Sequence, residues 1–115
     1  MKDILESILL EDLNDIGIFR LTLNDIDNKN ALSESMMHKL IEAISKASKD
    51  NSVKLIVIAS TGNVFCSGHN LKEINEAQKA DDKGESYYLD LFKICSELMQ
   101  SIINCPKPVI AEVNG

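Results

Sequence analysis

The sequence lacks a concentrated basic surface and any long apolar run. Eighteen Asp and Glu residues against 12 Lys and Arg give the 115-residue chain a formal net charge of −6. Nucleic-acid phosphates are bound by clustered cations, so no nucleic-acid partner is expected, although a local cationic spot for one anionic ligand stays open. No apolar run approaches the roughly 18 residues of a membrane span, and the acidic Asp3 and Glu6 are unlike a signal peptide. We therefore expect a cytoplasmic protein without a membrane partner.

Cysteine and histidine are also scarce. The chain has three cysteines and two histidines, and no two cysteines form a C-x-x-C pair. These counts argue against a structural zinc site and against a disulfide framework. The odd number of cysteines suits a reducing compartment, and no metal is expected.

The residues that are present predict one α/β domain. Hydrophobic residues make up 44% and charged residues 26% of the chain, which is ordinary for a folded protein. Residues 7–10 and 17–23 predict a hairpin whose connection, 11–15, has turn formers near its end. Apolar spacing predicts a helix over 33–49, which Ser33 or Asn30 can cap. Residues 53–59 are so uniformly apolar that they predict an interior strand covered on both faces. Strand, helix and strand in this order predict a βαβ crossover.

The second half of the chain continues the alternation of predicted helices and strands. A helix is expected over 70–77, a mobile charged loop over 78–85 and an amphipathic helix over 85–104, which Pro106 and Pro108 end. Residues 109–113 predict another strand, and Asn114-Gly115 is a turn that leads to no further element. From this ending we expect the chain to be a fragment of a longer protein.

A bend at residues 64–73 lies between the interior strand and the next helix. The small residues Ser67 and Gly68 predict a tight turn whose backbone N–H groups point outward and can hold a negative oxygen. Open α/β sheets place their ligands at this carboxyl edge. A purely structural turn is the alternative, because glycine motifs are weakly specific.

Three stretches carry a resemblance to a known family. They are the bend Phe65-Cys66-Ser67-Gly68-His69-Asn70-Leu71-Lys72-Glu73, the segment Asn28-Lys29-Asn30-Ala31-Leu32 before the first helix, and the ending Lys107-Pro108-Val109-Ile110-Ala111-Glu112-Val113-Asn114-Gly115. With the N-terminal hairpin, their order and spacing resemble the N-terminal half of the crotonase (enoyl-CoA hydratase/isomerase) superfamily, nearest to the enoyl-CoA hydratase domain-containing proteins. The resemblance implies a ClpP/crotonase-type spiral of ββα units, of which residues 1–115 are a truncated N-terminal portion.

The resemblance implies a site for acyl-CoA thioesters. An enolate-like oxyanion is held in this family by two backbone N–H groups, and the first maps onto His69, with Gly68 making the bend. The second donor falls beyond Gly115. Ala31, Ser67, His69 and Lys72 are implied to bind CoA, which enters as the acyl carrier and not as a separate cofactor. A homotrimer or hexamer is implied for the whole protein.

The reaction implied is hydration of a 2-enoyl-CoA or isomerisation of its double bond. The glutamates that move protons in the hydratases lie downstream of this chain, so little turnover is expected from these 115 residues alone. Two alternatives stay open: a non-catalytic acyl-CoA-binding member of the family, and a stand-alone interaction module.

Several side chains have competing interpretations. The His69 imidazole is a possible general base, but we expect its backbone to matter instead. Cys66 is interpreted as a packing residue in preference to a reactive thiol, and Cys95 lies on an apolar helix stripe. Glu73 and Glu112 are expected to be ordinary exposed charges.

Overall fold

The computed structural model describes residues 7–79 and 82–114. Its elements follow the chain as β1 (Leu9–Leu13), β2 (Ile18–Leu23), a 3-10 turn (Ile26–Asn28), α1 (Glu34–Lys49), β3 (Leu55–Ser60), α2 (Leu71–Ala77), α3 (Glu85–Ile103) and β4 (Val109–Ala111). The strands form one sheet in the order β1-β2-β3-β4. β1 is antiparallel to β2, and the other two pairs are parallel. The predicted α/β class and the βαβ crossover through α1 are therefore confirmed.

The first hairpin is shifted relative to the prediction. β1 includes Glu11 and Asp12, which were predicted to lie in the connection between the strands, because they pair with Leu21 and Arg20 of β2. An edge strand tolerates these charges, since both of these residues are exposed to water. The turn follows β1, where the Asn14 side-chain oxygen accepts from the Ile16 and Ile18 N–H groups.

Helix α1 agrees with its apolar pattern and carries the core. Ser33, predicted as one of two possible N-caps, accepts a hydrogen bond from the Met36 N–H at 3.1 Å. Apolar residues of α1 pack with residues of β2 and α3 in one cluster, which includes Met36, Met37, Leu40, Ala43, Ile44, Phe19, Leu21, Leu23, Leu91, Ile94 and Leu98.

The end of α1 is tied to the chain that enters β4. The Lys107 ammonium donates hydrogen bonds to the backbone oxygens of Ala47, at 2.7 Å, and of Asp50. A cation satisfies free carbonyl groups at a helix C-terminus and complements the helix dipole. Lys107, part of the motif that closes the chain, thus stabilises the crossover.

Strand β3 lies inside the sheet but is covered less than predicted. Ile56 is fully buried, whereas Leu55 and Val57 stay half-buried among the described residues. Ile110, on the neighbouring strand, is 49% exposed. The prediction of full cover on both faces is wrong for this part of the chain, because no described helix seals the face that carries Leu55 and Val57.

The boundaries of the remaining helices and strands differ from the predicted ones by at most two residues. α2 and α3 occupy their predicted positions, and β4 ends two residues before the predicted 113, although the Glu112 N–H still donates to the Ile58 oxygen at 2.8 Å. Residues 80 and 81 of the predicted loop, and Gly115 of the predicted final turn, lie outside the described residues. Within residues 7–79 and 82–114, no helix is both long and apolar enough to cross a membrane.

Candidate functional site: a cleft at the end of β3

Two segments meet beyond the carboxyl end of β3. One runs from Thr61 to the start of α2, and the other leads into α1. An isolated parallel bridge pairs Leu32 with His69, and the Leu32 N–H donates to the Gly68 oxygen at 2.6 Å. The Ser67 N–H donates to the Lys29 oxygen at 3.2 Å. These contacts hold the predicted bend against the loop before α1.

A cleft of about 270 Å³ lies between these segments. Its walls are built by both of them and by the start of α2: Asp27, Asn28, Lys29, Ala31, Ser67, His69, Asn70, Leu71 and Lys72. All four residues implied to bind CoA (Ala31, Ser67, His69 and Lys72) are therefore brought together. That they contact CoA stays a prediction.

The His69 backbone N–H is the donor of interest. In a parallel bridge, one residue bonds to the neighbours of its partner, so the partner's own N–H and C=O point away. Leu32 bonds to Gly68 in this way, and no acceptor among the described residues receives the His69 N–H. The wall of the cleft thus contains a peptide donor with no hydrogen-bond acceptor in residues 7–79 and 82–114.

Gly68 shapes the backbone that precedes this donor. Its φ of +89° lies in the left-handed region, which favours glycine. A Cβ added at Gly68 would meet nothing within 4 Å, so the surrounding space is open. The need for glycine here is conformational and does not arise from crowding.

The His69 side chain packs toward α3. Both ring nitrogens lie 3.9 Å from Cys95 Sγ, and that sulfur lies 3.5 Å from Met37 Sδ. Burial raises the pKa of the Cys95 thiol, which keeps it neutral at pH 7. A general-base histidine is normally oriented by a further polar group. A neutral thiol orients an imidazole poorly, and this supports the emphasis on the His69 backbone.

Cys66 is half-buried beside the core. Its sulfur lies 3.4 Å from the Gly68 nitrogen and accepts a weak hydrogen bond from that N–H group. This position fits the interpretation of Cys66 as a packing residue that also shapes the bend. All three cysteines are free thiols.

Asn30 has a structural role beside the cleft that sequence reasoning missed. Its side chain is 1% exposed. Its amide nitrogen donates to the Thr61 oxygen at 3.0 Å and to the Val64 oxygen at 2.9 Å, while its amide oxygen accepts from the Asp25 N–H at 2.7 Å. Asn30 was predicted only as an alternative helix cap. Its actual role is to join the loop before α1 to the segment that follows β3.

The cleft has a local charge opposite to that of the chain. Lys29 and Lys72 line it, and Asp27 is its one carboxylate among the described lining residues. The whole chain carries −6. A local excess of positive charge attracts an anionic ligand to the cleft, although the chain as a whole is negative.

Neither of the two carboxylates singled out in the sequence lines the cleft. Glu112 is exposed and forms an ion pair with Arg20 on the sheet surface. Glu73 was predicted to be exposed, but it is half-buried and faces α1 and α3. The prediction for Glu73 is wrong because α3 packs beside this side of α2, which local polarity did not show.

Comparison with known proteins decides the family. The enoyl-CoA hydratase/isomerase family matches residues 14–115. The chain belongs to this family. It is 41% identical over 99 residues to enoyl-CoA hydratase domain-containing protein 3, mitochondrial, from Xenopus laevis, covering 86% of this chain and 32% of that protein. It is 38% identical over 115 residues to enoyl-CoA delta isomerase 3, peroxisomal, from Mus musculus, covering 99% of this chain and 33% of that protein.

The solved structures agree with the fold. An enoyl-CoA hydratase from Mycobacterium smegmatis superposes with a TM-score of 0.84 at 42% sequence identity, over 94% of this chain and 40% of that one. The crotonase-like fold and the resemblance to enoyl-CoA hydratase domain-containing proteins are confirmed. The chain spans about a third of the length of the curated relatives it matches.

Proposed function

We propose that this enoyl-CoA hydratase/isomerase family member binds acyl-CoA thioesters in the cleft and holds the thioester oxygen with the His69 N–H. The observation that supports this most is the donor itself: a peptide N–H with no acceptor among the described residues, in the wall of a cleft with two lysines. A fixed N–H dipole stabilises charge that develops on an enolate oxygen without reorganising. Loss of one such donor typically costs about 2.7–4 kcal/mol of barrier.

The other residues of the cleft wall are suited to bind CoA, the carrier of the acyl group. Lys72 supplies a cation for a CoA phosphate, while Ala31 and Ser67 are small enough for a narrow pantetheine arm to pass. Binding of the carrier fixes the acyl group in front of the donor, and orientation of this kind contributes to catalysis. CoA is part of the substrate in this proposal, and no further cofactor is needed.

For the whole protein we propose hydration of a 2-enoyl-CoA or isomerisation of its double bond. Relatives carry names of both kinds, a hydratase domain-containing protein and a delta isomerase. Either reaction needs a second oxyanion donor and groups that move protons. We propose that residues beyond this chain supply them, so the 115 residues alone give little turnover.

A non-catalytic acyl-CoA-binding role is the second candidate. Asp27 is the one carboxylate among the described lining residues, and Glu73 and Glu112 face elsewhere. Proton transfer at carbon requires a positioned acid or base. These residues on their own therefore support binding more directly than they support turnover.

Activity of the full-length protein distinguishes the two candidates. Loss of enone absorbance with crotonyl-CoA and with longer enoyl-CoAs measures hydration, and we expect turnover with at least one of them. An active-site carboxylate outside this chain would then complete the site. Tight binding of these thioesters with neither hydration nor isomerisation would favour the binding protein.

Binding by the 115-residue chain is tested separately. Calorimetry with crotonyl-CoA should give saturable affinity, and Lys72→Gln should weaken it about three- to tenfold, as expected for loss of one charge-assisted phosphate contact of about 0.7–1.4 kcal/mol. Lys79→Gln is the matched control, because Lys79 pairs with Glu76 at 3.3 Å and does not line the cleft. Equal effects of the two substitutions would contradict a phosphate contact at Lys72.

Compartment and assembly remain predictions. The relatives named above are mitochondrial and peroxisomal by name, whereas the sequence of this chain led us to expect a cytoplasmic protein. Fractionation of cells that express the full-length protein tests this expectation. Assembly into trimers or hexamers is tested by the mass of the full-length protein in solution.

A further inference from the structure

Helix α2 builds one wall of the cleft but has little to hold it in place. It has seven residues, none of them buried. Leu71 and Lys72 line the cleft, and Leu71 is 71% exposed. A helix this short is not stable by itself in water. Contacts to the rest of the fold must therefore fix its position.

The Glu73 side chain links the start of α2 to the two longer helices. Its Oε1 accepts a hydrogen bond from the Glu34 N–H, the first N–H of α1, at 3.3 Å. The Tyr87 hydroxyl of α3 donates a long hydrogen bond to the same oxygen at 3.5 Å. The first N–H groups of a helix have no partner within it, and a carboxylate there is also favoured by the helix dipole. One side chain of α2 thus contacts both of the longer helices.

Two further contacts of α2 also lead away from the cleft. Gln78, just after the helix, donates from its side-chain nitrogen to the Tyr88 hydroxyl at 3.1 Å. Ile74 packs against the core. The Tyr87 and Tyr88 rings stack edge to face with their centroids 5.9 Å apart, so the two anchors on α3 support each other.

We propose that Glu73 is a positioning residue: with Tyr87 and the first N–H of α1, it forms a latch that holds α2 as a wall of the cleft. The latch is formed by residues of this chain alone. Its consequence for CoA affinity rests on the proposed function. Nothing in the latch touches the cleft, so it acts through the position of α2 alone.

The state of Tyr87 agrees with the latch. Burial, together with the negative charge of Glu73, raises the pKa of Tyr87 to about 12. The phenol therefore stays protonated over the physiological range and remains a hydrogen-bond donor to Glu73.

The test is hydrogen exchange of the complete 115-residue chain. Glu73→Ala removes the latch, Tyr87→Phe removes one donor, and Glu73→Gln keeps an oxygen that can accept both hydrogen bonds. Glu76→Ala is the matched control, since Glu76 lies on the same helix and pairs with Lys79 in solvent. Local opening of a segment appears as faster exchange there without a change in the most protected amides.

We expect Glu73→Ala to speed exchange of the α2 amides about tenfold, which corresponds to about 1.4 kcal/mol, and to weaken crotonyl-CoA binding by a similar factor. Tyr87→Phe should do so less, Glu73→Gln should restore most of both properties, and Glu76→Ala should change neither. Unchanged α2 exchange in Glu73→Ala overturns the latch. Faster exchange with unchanged affinity overturns the claim that the position of α2 sets the affinity of the cleft. If the unmodified chain does not bind crotonyl-CoA, the proposed function fails, and the exchange rates still decide whether Glu73 holds α2.

Discussion

Replacing Asn30 with alanine should destabilise the protein strongly, because one buried side chain joins the loop before α1 to the segment that follows β3. The substitution removes two donor contacts, to the Thr61 and Val64 oxygens, and one acceptor contact, to the Asp25 N–H. Each lost hydrogen bond costs about 1 kcal/mol net. Asn30 also has a φ of +55°, and alanine is disfavoured in this region by about 1 kcal/mol relative to asparagine.

Together these effects predict a loss of about 4 kcal/mol in the free energy of unfolding, a large part of the roughly 5–15 kcal/mol typical of a domain. Urea unfolding followed by circular dichroism measures it. The midpoint should fall while the dependence of the free energy on urea stays the same. Asn30→Asp should also destabilise, since its carboxylate replaces a donor that faces two carbonyl oxygens.

Asn51→Ala is the control for Asn30→Ala, because Asn51 is exposed in the turn after α1. Exposed substitutions of this kind usually change stability by less than about 0.5 kcal/mol. A loss of that size in Asn30→Ala would refute the account of how the cleft is held together.

Three further predictions concern the bend, His69 and Tyr87. Gly68→Ala should lower the free energy of unfolding by about 1 kcal/mol, from its positive φ alone. Gly17→Ala should lower it clearly more in the same urea assay, since the added Cβ would also meet the Ser52 backbone oxygen at 3.1 Å. Equal losses would contradict this. His69→Ala keeps the backbone N–H, so crotonyl-CoA affinity measured by calorimetry should change by less than about 0.5 kcal/mol, and a large loss would assign the function to the imidazole. The pKa of Tyr87 rises from about 10 in the unfolded chain to about 12 in the folded one. Its contribution to stability is therefore complete below pH 10 and is lost as the pH rises to about 12; unfolding of Tyr87→Phe should show a smaller decline over that range, and equal declines would contradict the shift.

Elements were predictable from the sequence where the local pattern of apolar, polar and small residues is enough to indicate the structure. Helix α1 has an apolar stripe and a Ser33 cap, and both appear in the structure. The bend was predictable because Ser67 and Gly68 are small and follow an apolar strand. The grouping of Ala31 with Lys72 came from the family resemblance, since spacing alone does not bring these two residues together.

Features that depend on a distant partner were not predictable. Glu11 was predicted to lie between two strands, and only its pairing with Leu21 makes it part of a strand. Glu73 reads as an exposed charge until α3 places Tyr87 beside it. Asn30 resembles any polar loop residue, and its three partners come from segments up to 34 positions away. In each case tertiary contact, and not local propensity, determines the structure.

The most direct test of the central claim is the backbone amide resonance of His69 in a ¹⁵N-labelled chain. On addition of crotonyl-CoA, this resonance should shift in a saturable way toward the position of a hydrogen-bonded amide, together with those of Ala31 and Lys72. Free CoA lacks the thioester oxygen, so it should shift the Ala31 and Lys72 resonances and leave that of His69 nearly unchanged. Saturable binding of crotonyl-CoA without a shift at His69, or equal shifts with free CoA, would contradict the claim that this N–H holds the thioester oxygen.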